Sequence, residues 1–311
     1  MFLHETSNKT TYNIKESPRG KKKEENTMKF YKYHGLGNDY IVIDPGETNI
    51  SLDESKIRLI CHRNYGVGSD GILYGPEIKD NYFKLRIFNP DGSEAEKSGN
   101  GLRIFSRYLW DTGLVKTNPF IINTIGGNVQ SEVMNNGDLI KIEMGQVSFI
   151  ASKIPLIGEE GEVLNRNFVI KGKSFRYCAA NIGNPHCVVL CDDISPELAK
   201  EYGPHIETNA IFPRKTNVQF MKVIDKKNIQ IEIWERGAGY TLASGSSSIA
   251  SSAVAFRLGL CENNITVKMQ GGDLNIEFTN DFKATMVGPV IAICEGTIKE
   301  DFFEKSVKIR P

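Results

Sequence analysis

Apolar residues recur in two rhythms along this 311-residue chain. From Phe83 to Phe88 they alternate with Lys84 and Arg86, the period-two signature of a half-buried strand, and Pro90-Asp91-Gly92 then marks a turn. From Leu102 to Leu109 the spacing becomes helical. The same succession returns later. Ile229, Ile231 and Ile233 alternate with Gln230 and Glu232, a turn follows, and a run of Ser, Ala, Val and Ile from about Ser246 to Leu258 predicts a helix buried on every side.

The recurrence keeps its spacing. Trp234-Glu235 stands 146 positions after Phe88-Asn89, and Ser244-Gly245 stands 146 after Ser98-Gly99. Gly271-Gly272 follows Gly126-Gly127 by 145 positions, and Met144-Gly145-Gln146-Val147 is echoed by Val287-Gly288-Pro289-Val290. Four landmarks in one order at a near-constant offset indicate an internal duplication. The fold class predicted is α+β, with two pseudo-symmetric domains, each a bent, mostly antiparallel sheet around a central helix that begins at a serine. The expected boundaries are 28–146 plus 291–311 for one domain and 147–290 for the other. Residues 1–27 are polar, hold the run Lys21-Lys22-Lys23-Glu24-Glu25, lack an apolar core of a signal peptide, and read as a disordered extension before Met28.

Composition narrows the function classes. Lys plus Arg and Asp plus Glu balance at 38 each, so no global field favours nucleic acid or an anionic membrane. No apolar run approaches the roughly 18–20 residues of a membrane span. The six cysteines, Cys61, Cys178, Cys187, Cys191, Cys261 and Cys294, form no C-x-x-C pair, which fits mostly buried, inert thiols in a reducing compartment better than disulfides or zinc. The chain reads as soluble and cytoplasmic, with no cofactor or metal expected.

The candidate chemistry gathers at the paired helix starts. Serine is a preferred N-cap, which alone explains one Ser-Gly. Two of them, at equivalent places in a duplicated chain, provide two sets of free backbone N–H groups suited to one carboxylate held in a cleft. His34-Gly35-Leu36-Gly37-Asn38-Asp39 is glycine-rich but lacks phosphate-loop spacing, so Asn38 is a turn former or a substrate contact. His186, after Asn184-Pro185, is either a base or a satisfied core histidine. Glu235 and Arg236 are placed beside Ser244 by the repeat, and Asn217-Val218 opens a strand in which asparagine is otherwise disfavoured.

Together these segments resemble the diaminopimelate epimerase family, from Met28 nearly to the C-terminus. The motifs that carry the resemblance are His34 to Tyr40, Tyr65 to Gly71, Phe88 to Gly101, Gly183 to His186, Asn217 to Phe220 and Glu235 to Gly245. The resemblance implies a cofactor-independent isomerase of lysine and peptidoglycan biosynthesis, in which one residue removes an α-proton and another reprotonates the opposite face. It places Ser98 and Ser244 at the two catalytic positions and His186 and Glu235 where they would tune them. It assigns Gly99, Asn100, Gly245 and Ser246 to the reacting carboxylate. Asn38, Asn89, Asn184, Asn217, Glu235 and Arg236 go to the substrate's remaining groups. The partner implied is a small diaminopimelate-like amino acid, with a homodimer as the candidate assembly.

One departure bears on mechanism. The family carries cysteine where this chain has Ser98 and Ser244, and Ser246-Ser247-Ser248 also departs from the family's flank, as in a diverged branch. A thiol ionises near pH ~8.5 and an aliphatic hydroxyl nearer that of water, about 15.7, so forming an alkoxide costs on the order of 10 kcal/mol more. Epimerisation therefore needs a neighbouring base such as His186 or Glu235. The rival readings are elimination or isomerisation from one face on the same scaffold, and a non-catalytic amino-acid binder.

Overall fold

The computed structural model describes residues 27–79 and 82–305. The first half comprises β1 (Thr27–Gly35), β2 (Asn38–Ile43), α1 (Glu54–Cys61), β3 (Ile72–Lys79), β4 (Tyr82–Phe88), β5 (Glu94–Ala95), α2 (Gly99–Asp111), β6 (Phe120–Thr124), β7 (Gly127–Met134) and β8 (Leu139–Gln146). The second comprises β9 (Arg166–Ile170), β10 (Lys173–Asn181), β11 (Pro185–Leu190), α3 (Pro196–Glu207), β12 (Asn217–Asp225), β13 (Asn228–Glu235), β14 (Gly239–Thr241), α4 (Gly245–Arg257), β15 (Asn264–Met269), β16 (Gly272–Phe278) and β17 (Lys283–Pro289). The chain then returns to the first half with β18 (Ile291–Lys299) and α5 (Glu300–Lys305). Residues 1–26 of the expected extension lie outside the described residues. Thr27, expected in that extension, is instead the first residue of β1, paired with Lys299.

Both halves follow one pairing scheme. In the first, β1–β2 is antiparallel, β2–β3 parallel, β3–β4 antiparallel, β4–β6 parallel, and β6–β7–β8 antiparallel. In the second, β10–β11, β11–β12, β12–β13, β13–β15 and β15–β16–β17 repeat that sequence of directions. The outer place that β9 takes beside β10 is taken beside β1 by β18. Antiparallel pairing of β8 with β17 joins the halves.

Local sequence explains the elements. In β4, Leu85 and Ile87 are buried and Lys84 and Arg86 exposed, so one face packs and the other meets water. In β13 the isoleucines are buried, but so is Glu232, which accepts bonds from Tyr240 Oη and Gln270 Nε2. β13 is covered on both faces because α3 lies on its outer side, where Gly203 brings the helix close: a Cβ there would come within 2.6 Å of Trp234. Each central helix sits inside its own sheet. Every residue of α4 except Ser246, Phe256 and Arg257 is buried, its small side chains letting seven strands close round it. Among the described residues no helix is long and apolar enough to cross a membrane.

Candidate active site

The two serine-led helix starts meet between the halves. Ser98 caps α2: its Oγ accepts the Gly101 N–H at 3.1 Å and its carbonyl accepts the Leu102 N–H at 2.8 Å. Ser244 caps α4 in the same way, with Oγ accepting from Ser247 N–H at 3.4 Å and the carbonyl from Ser248 N–H at 3.0 Å. The first-turn N–H groups of Gly99, Asn100, Gly245 and Ser246 are then the donors that a helix leaves for a ligand. Glycine lets the two starts pack closely. A Cβ on Gly99 would lie 2.9 Å from Met286 Cε and 3.6 Å from Gly245 Cα, and one on Gly245 would lie 3.1 Å from Met286 Sδ. Two positive helix ends thus converge on one point.

A cavity of about 1100 Å³ opens over that point. Its walls include Ser98, Gly99, Asn100, Ser244, Gly245 and Ser246. Asn38, Asn89, Asn184, Glu235 and Arg236 complete the set of sequence-derived candidates that face it. Asn38 sits at the foot of the β1–β2 hairpin, whose tip places Leu36 at φ 57° and Gly37 at φ 87°. That left-handed turn is held from the other half, since the Leu36 side chain occupies space against Gly272. Asn38 Nδ2 donates to Asp70, and Asn38 Oδ1 accepts from Asn100 Nδ2 at 3.0 Å. Asn89 donates to Ser93 Oγ at 2.9 Å.

His186 and Asn217 stand behind the wall. His186 is fully buried, with Gln219 Nε2 donating to Nδ1 at 3.0 Å and Nε2 donating to Asn184 Oδ1 at 2.9 Å. Burial pushes its pKa down to about 3, against the Gln219 bond and with help from Arg236, so the ring is neutral and holds Asn184 in place. Asn217 spends its amide on backbone: Nδ2 donates to Pro185 O, and Oδ1 accepts the Arg236 N–H at 3.0 Å. Glu207 of α3 accepts the Gly237 N–H at 3.1 Å, so the turn carrying Glu235 and Arg236 is fixed at two points.

The hydroxyls have different neighbours. The Glu235 carboxylate lies against Ser244 Oγ; burial raises its pKa, the Ser244 contact opposes that, and the charge of Asp70 adds to it. At Ser98 the neighbour is Tyr40, whose Oη is 3.1 Å from Ser98 Oγ, and whose pKa burial pushes up to about 12. Tyr40 lines the cavity and carried no role in the sequence reading. Its signal was available: Tyr40 stands 146 positions before His186. Arg103 was also missed. Fully buried, it donates to Asn100 Oδ1 at 2.9 Å and to Met286 Sδ at 3.1 Å, steadying the start of α2 from behind. Among the described residues no three His, Cys, Asp or Glu side chains gather as a metal site.

Known proteins share this fold and much of this sequence. The model of the diaminopimelate epimerase family matches residues 30–150 and 178–293. The chain is 56% identical over 277 residues to diaminopimelate epimerase 2 of Nostoc sp., covering 89% of this chain and 97% of that protein. It is 36% identical over 280 residues to diaminopimelate epimerase of Desulfitobacterium hafniense, covering 88% and 99%. Among solved structures, a hydroxyproline epimerase from Agrobacterium vitis, with trans-4-hydroxy-L-proline bound, superposes with a TM-score of 0.63 at 13% identity, covering 89% of this chain and 93% of that one. A Bacillus anthracis phenazine biosynthesis protein gives 0.60 at 18%, covering 88% and 99%. These structures share the two-domain fold, and the sequence matches, extending almost end to end, fix the lineage: the chain belongs to the diaminopimelate epimerase family, whose members are cofactor-independent amino-acid epimerases.

Proposed function

We propose that this protein interconverts LL- and meso-diaminopimelate in the cytoplasm, at the cleft between its halves. The carrying observation is the convergence of the two helix starts, with one hydroxyl, Ser98 or Ser244, on each. A carboxylate at the junction takes N–H donors from Gly99, Asn100, Gly245 and Ser246, and negative charge developing on it during α-proton removal gains from the same donors. The α-carbon then lies between the two serines. Glu235, through Ser244, is the base. Asn38, Asn89, Asn184 and Arg236 meet the distal amino and carboxylate groups, with Asn217 and His186 positioning Arg236 and Asn184.

The test is incubation of LL- or meso-diaminopimelate with the protein in heavy water. Deuterium at the α-carbon, together with appearance of the other isomer, is the expected result. No exchange above background removes the epimerase reading. If the same ligand still raises the melting temperature, the binder reading takes its place.

A further inference from the structure

The two serines are capped alike but have unlike neighbours. Ser98 Oγ already accepts the Gly101 N–H, and its other partner is the Tyr40 hydroxyl at 3.1 Å. That contact can run either way, and when the Tyr40 phenol donates, Ser98 accepts twice. The proton of Ser98 is then left for the cavity. Ser244 has a carboxylate as its neighbour instead. When ionised, Glu235 can only accept, and the Ser244 hydroxyl beside it is then the donor, with an oxygen lone pair left for the cavity.

The geometry points to Tyr40 as the proton source behind Ser98, making Ser98–Tyr40 the acid relay and Ser244–Glu235 the base relay of one reaction. This rests on the epimerase reading above. Ser244 Oγ takes the α-proton as its own proton passes to the Glu235 carboxylate, and the C–H electron pair stays on carbon. On the opposite face Ser98 delivers its proton to carbon and takes one from Tyr40. Both serines end as hydroxyls, Glu235 as the acid and Tyr40 as the phenolate. One proton returning from Glu235 to Tyr40 through solvent resets the site. No alkoxide forms, which removes the cost that a serine would otherwise bear in a thiol's place.

The surroundings suit the starting state of the acid relay. The ionisable groups bearing on Tyr40 are Asp70 beside β3, Glu235 on β13 and Cys61 on α1, and burial together with these neighbours keeps the phenol protonated at neutral pH. Asp70 is the charged group bearing on Glu235. Tyr40 acts through Ser98, positioning that hydroxyl and resupplying its proton.

The experiment separates exchange from inversion. LL- and meso-diaminopimelate are each incubated in heavy water with the wild-type protein, with Tyr40→Phe and with Tyr40→Phe/Ser98→Cys. The phenylalanine variant keeps the ring and should still exchange the α-proton of the isomer that faces Ser244. Its inversion should fall on the order of 100-fold or more, the scale of a lost general acid. Cysteine at position 98 carries an acidic proton of its own and should restore inversion. Tyr40→Phe inverting at the wild-type rate overturns the proposal, as does equal loss of exchange and inversion, or a double variant no better than the single. A wild-type protein that neither exchanges nor inverts overturns the epimerase reading and this relay with it, an outcome distinct from the others.

Discussion

Superimposing the first half on the second, at an offset of 146 positions, matches Ser98 with Ser244, Asn38 with Asn184, Tyr40 with His186 and Asn89 with Glu235. The backbone is repeated and the partners are not. In the first half, the β2 residue Tyr40 reaches the serine, and Asn89 turns to Ser93. In the second, the β11 residue His186 is tied up between Asn184 and Gln219, and Glu235, the counterpart of Asn89, reaches the serine. A duplicated fold thus yields two equivalent helix starts and two inequivalent hydroxyls. On the proposed reading, inversion at carbon asks for that combination, because the substrate's charge would lie between the halves while the proton leaves one face and arrives at the other.

Glu235 is where breaking the asymmetry should cost most. Glu235→Gln preserves shape and the Ser244 contact but removes the acceptor for the α-proton. Both deuterium exchange and inversion should fall by about 10²–10⁴-fold, the range of general-base catalysis. Full activity in a folded Glu235→Gln protein would return the base role to another group. Because Asn89 is the equivalent residue, Asn89→Gln should affect substrate affinity and leave exchange of bound substrate much less changed.

The equivalence of Tyr40 and His186 gives a test in pH. A histidine with a folded pKa near 3 and an unfolded one near 6.5 is neutral in the fold and charged once unfolded below pH 6.5. The unfolded state then binds more protons, so stability present above the unfolded pKa is lost as pH falls towards the folded one. Between pH 7 and pH 4 this single group accounts for roughly 3 kcal/mol of lost stability. His186→Gln should flatten the decline by about that amount in urea unfolding at the two pH values. Parallel pH profiles for the two proteins would mean that His186 is protonated in the fold.

How much of this was legible in the sequence depended on what fixed each residue. Ser98-Gly99 and Ser244-Gly245 were visible because a capping hydroxyl and a Cβ-free close approach each admit few residue types. The glycine pairs 126–127 and 271–272 were visible for a related reason: Gly127 and Gly272 both have positive φ, at 97° and 126°. The strands β4 and β13 followed from alternation, but the second covered face of β13 did not, since nothing local to Glu232 tells of α3. The duplication was plainest from Phe88 onwards. Further upstream Gly37-Asn38 and Gly183-Asn184 keep the 146-position offset, but most side chains of β1–β2 and β10–β11 differ, which concealed the pairing of Tyr40 with His186. Gln219 left a fainter trace, a fully buried amide among Val218, Phe220 and Met221 that the side chains of His186 and Ser247 explain. Arg103 reads as a solvated helix residue until Met286 is brought over it from 183 positions away.

The smallest predicted effect concerns the room made for Tyr40. Ile41 N–H bonds to Gly71 O at 3.1 Å, which sets Gly71 beside Tyr40 as Asn217 is set beside His186 in the parallel register of β11 and β12. The glycine leaves space that the asparagine fills: a Cβ at 71 would come within 2.6 Å of Tyr40 Cε1 and 2.5 Å of Phe88 O. The carbonyl belongs to β4 and cannot give way easily, so the tyrosine ring must move. Gly71→Ala should therefore cost about 1–3 kcal/mol of stability, the range for overpacking a core, read from urea unfolding. It should also lower inversion more than exchange, because the displaced phenol loses Ser98 while Glu235 and Ser244 are untouched. Unchanged stability would mean that β3 shifts to absorb the methyl. Unchanged inversion alongside a displaced ring would place the acid function of the first half somewhere other than Tyr40.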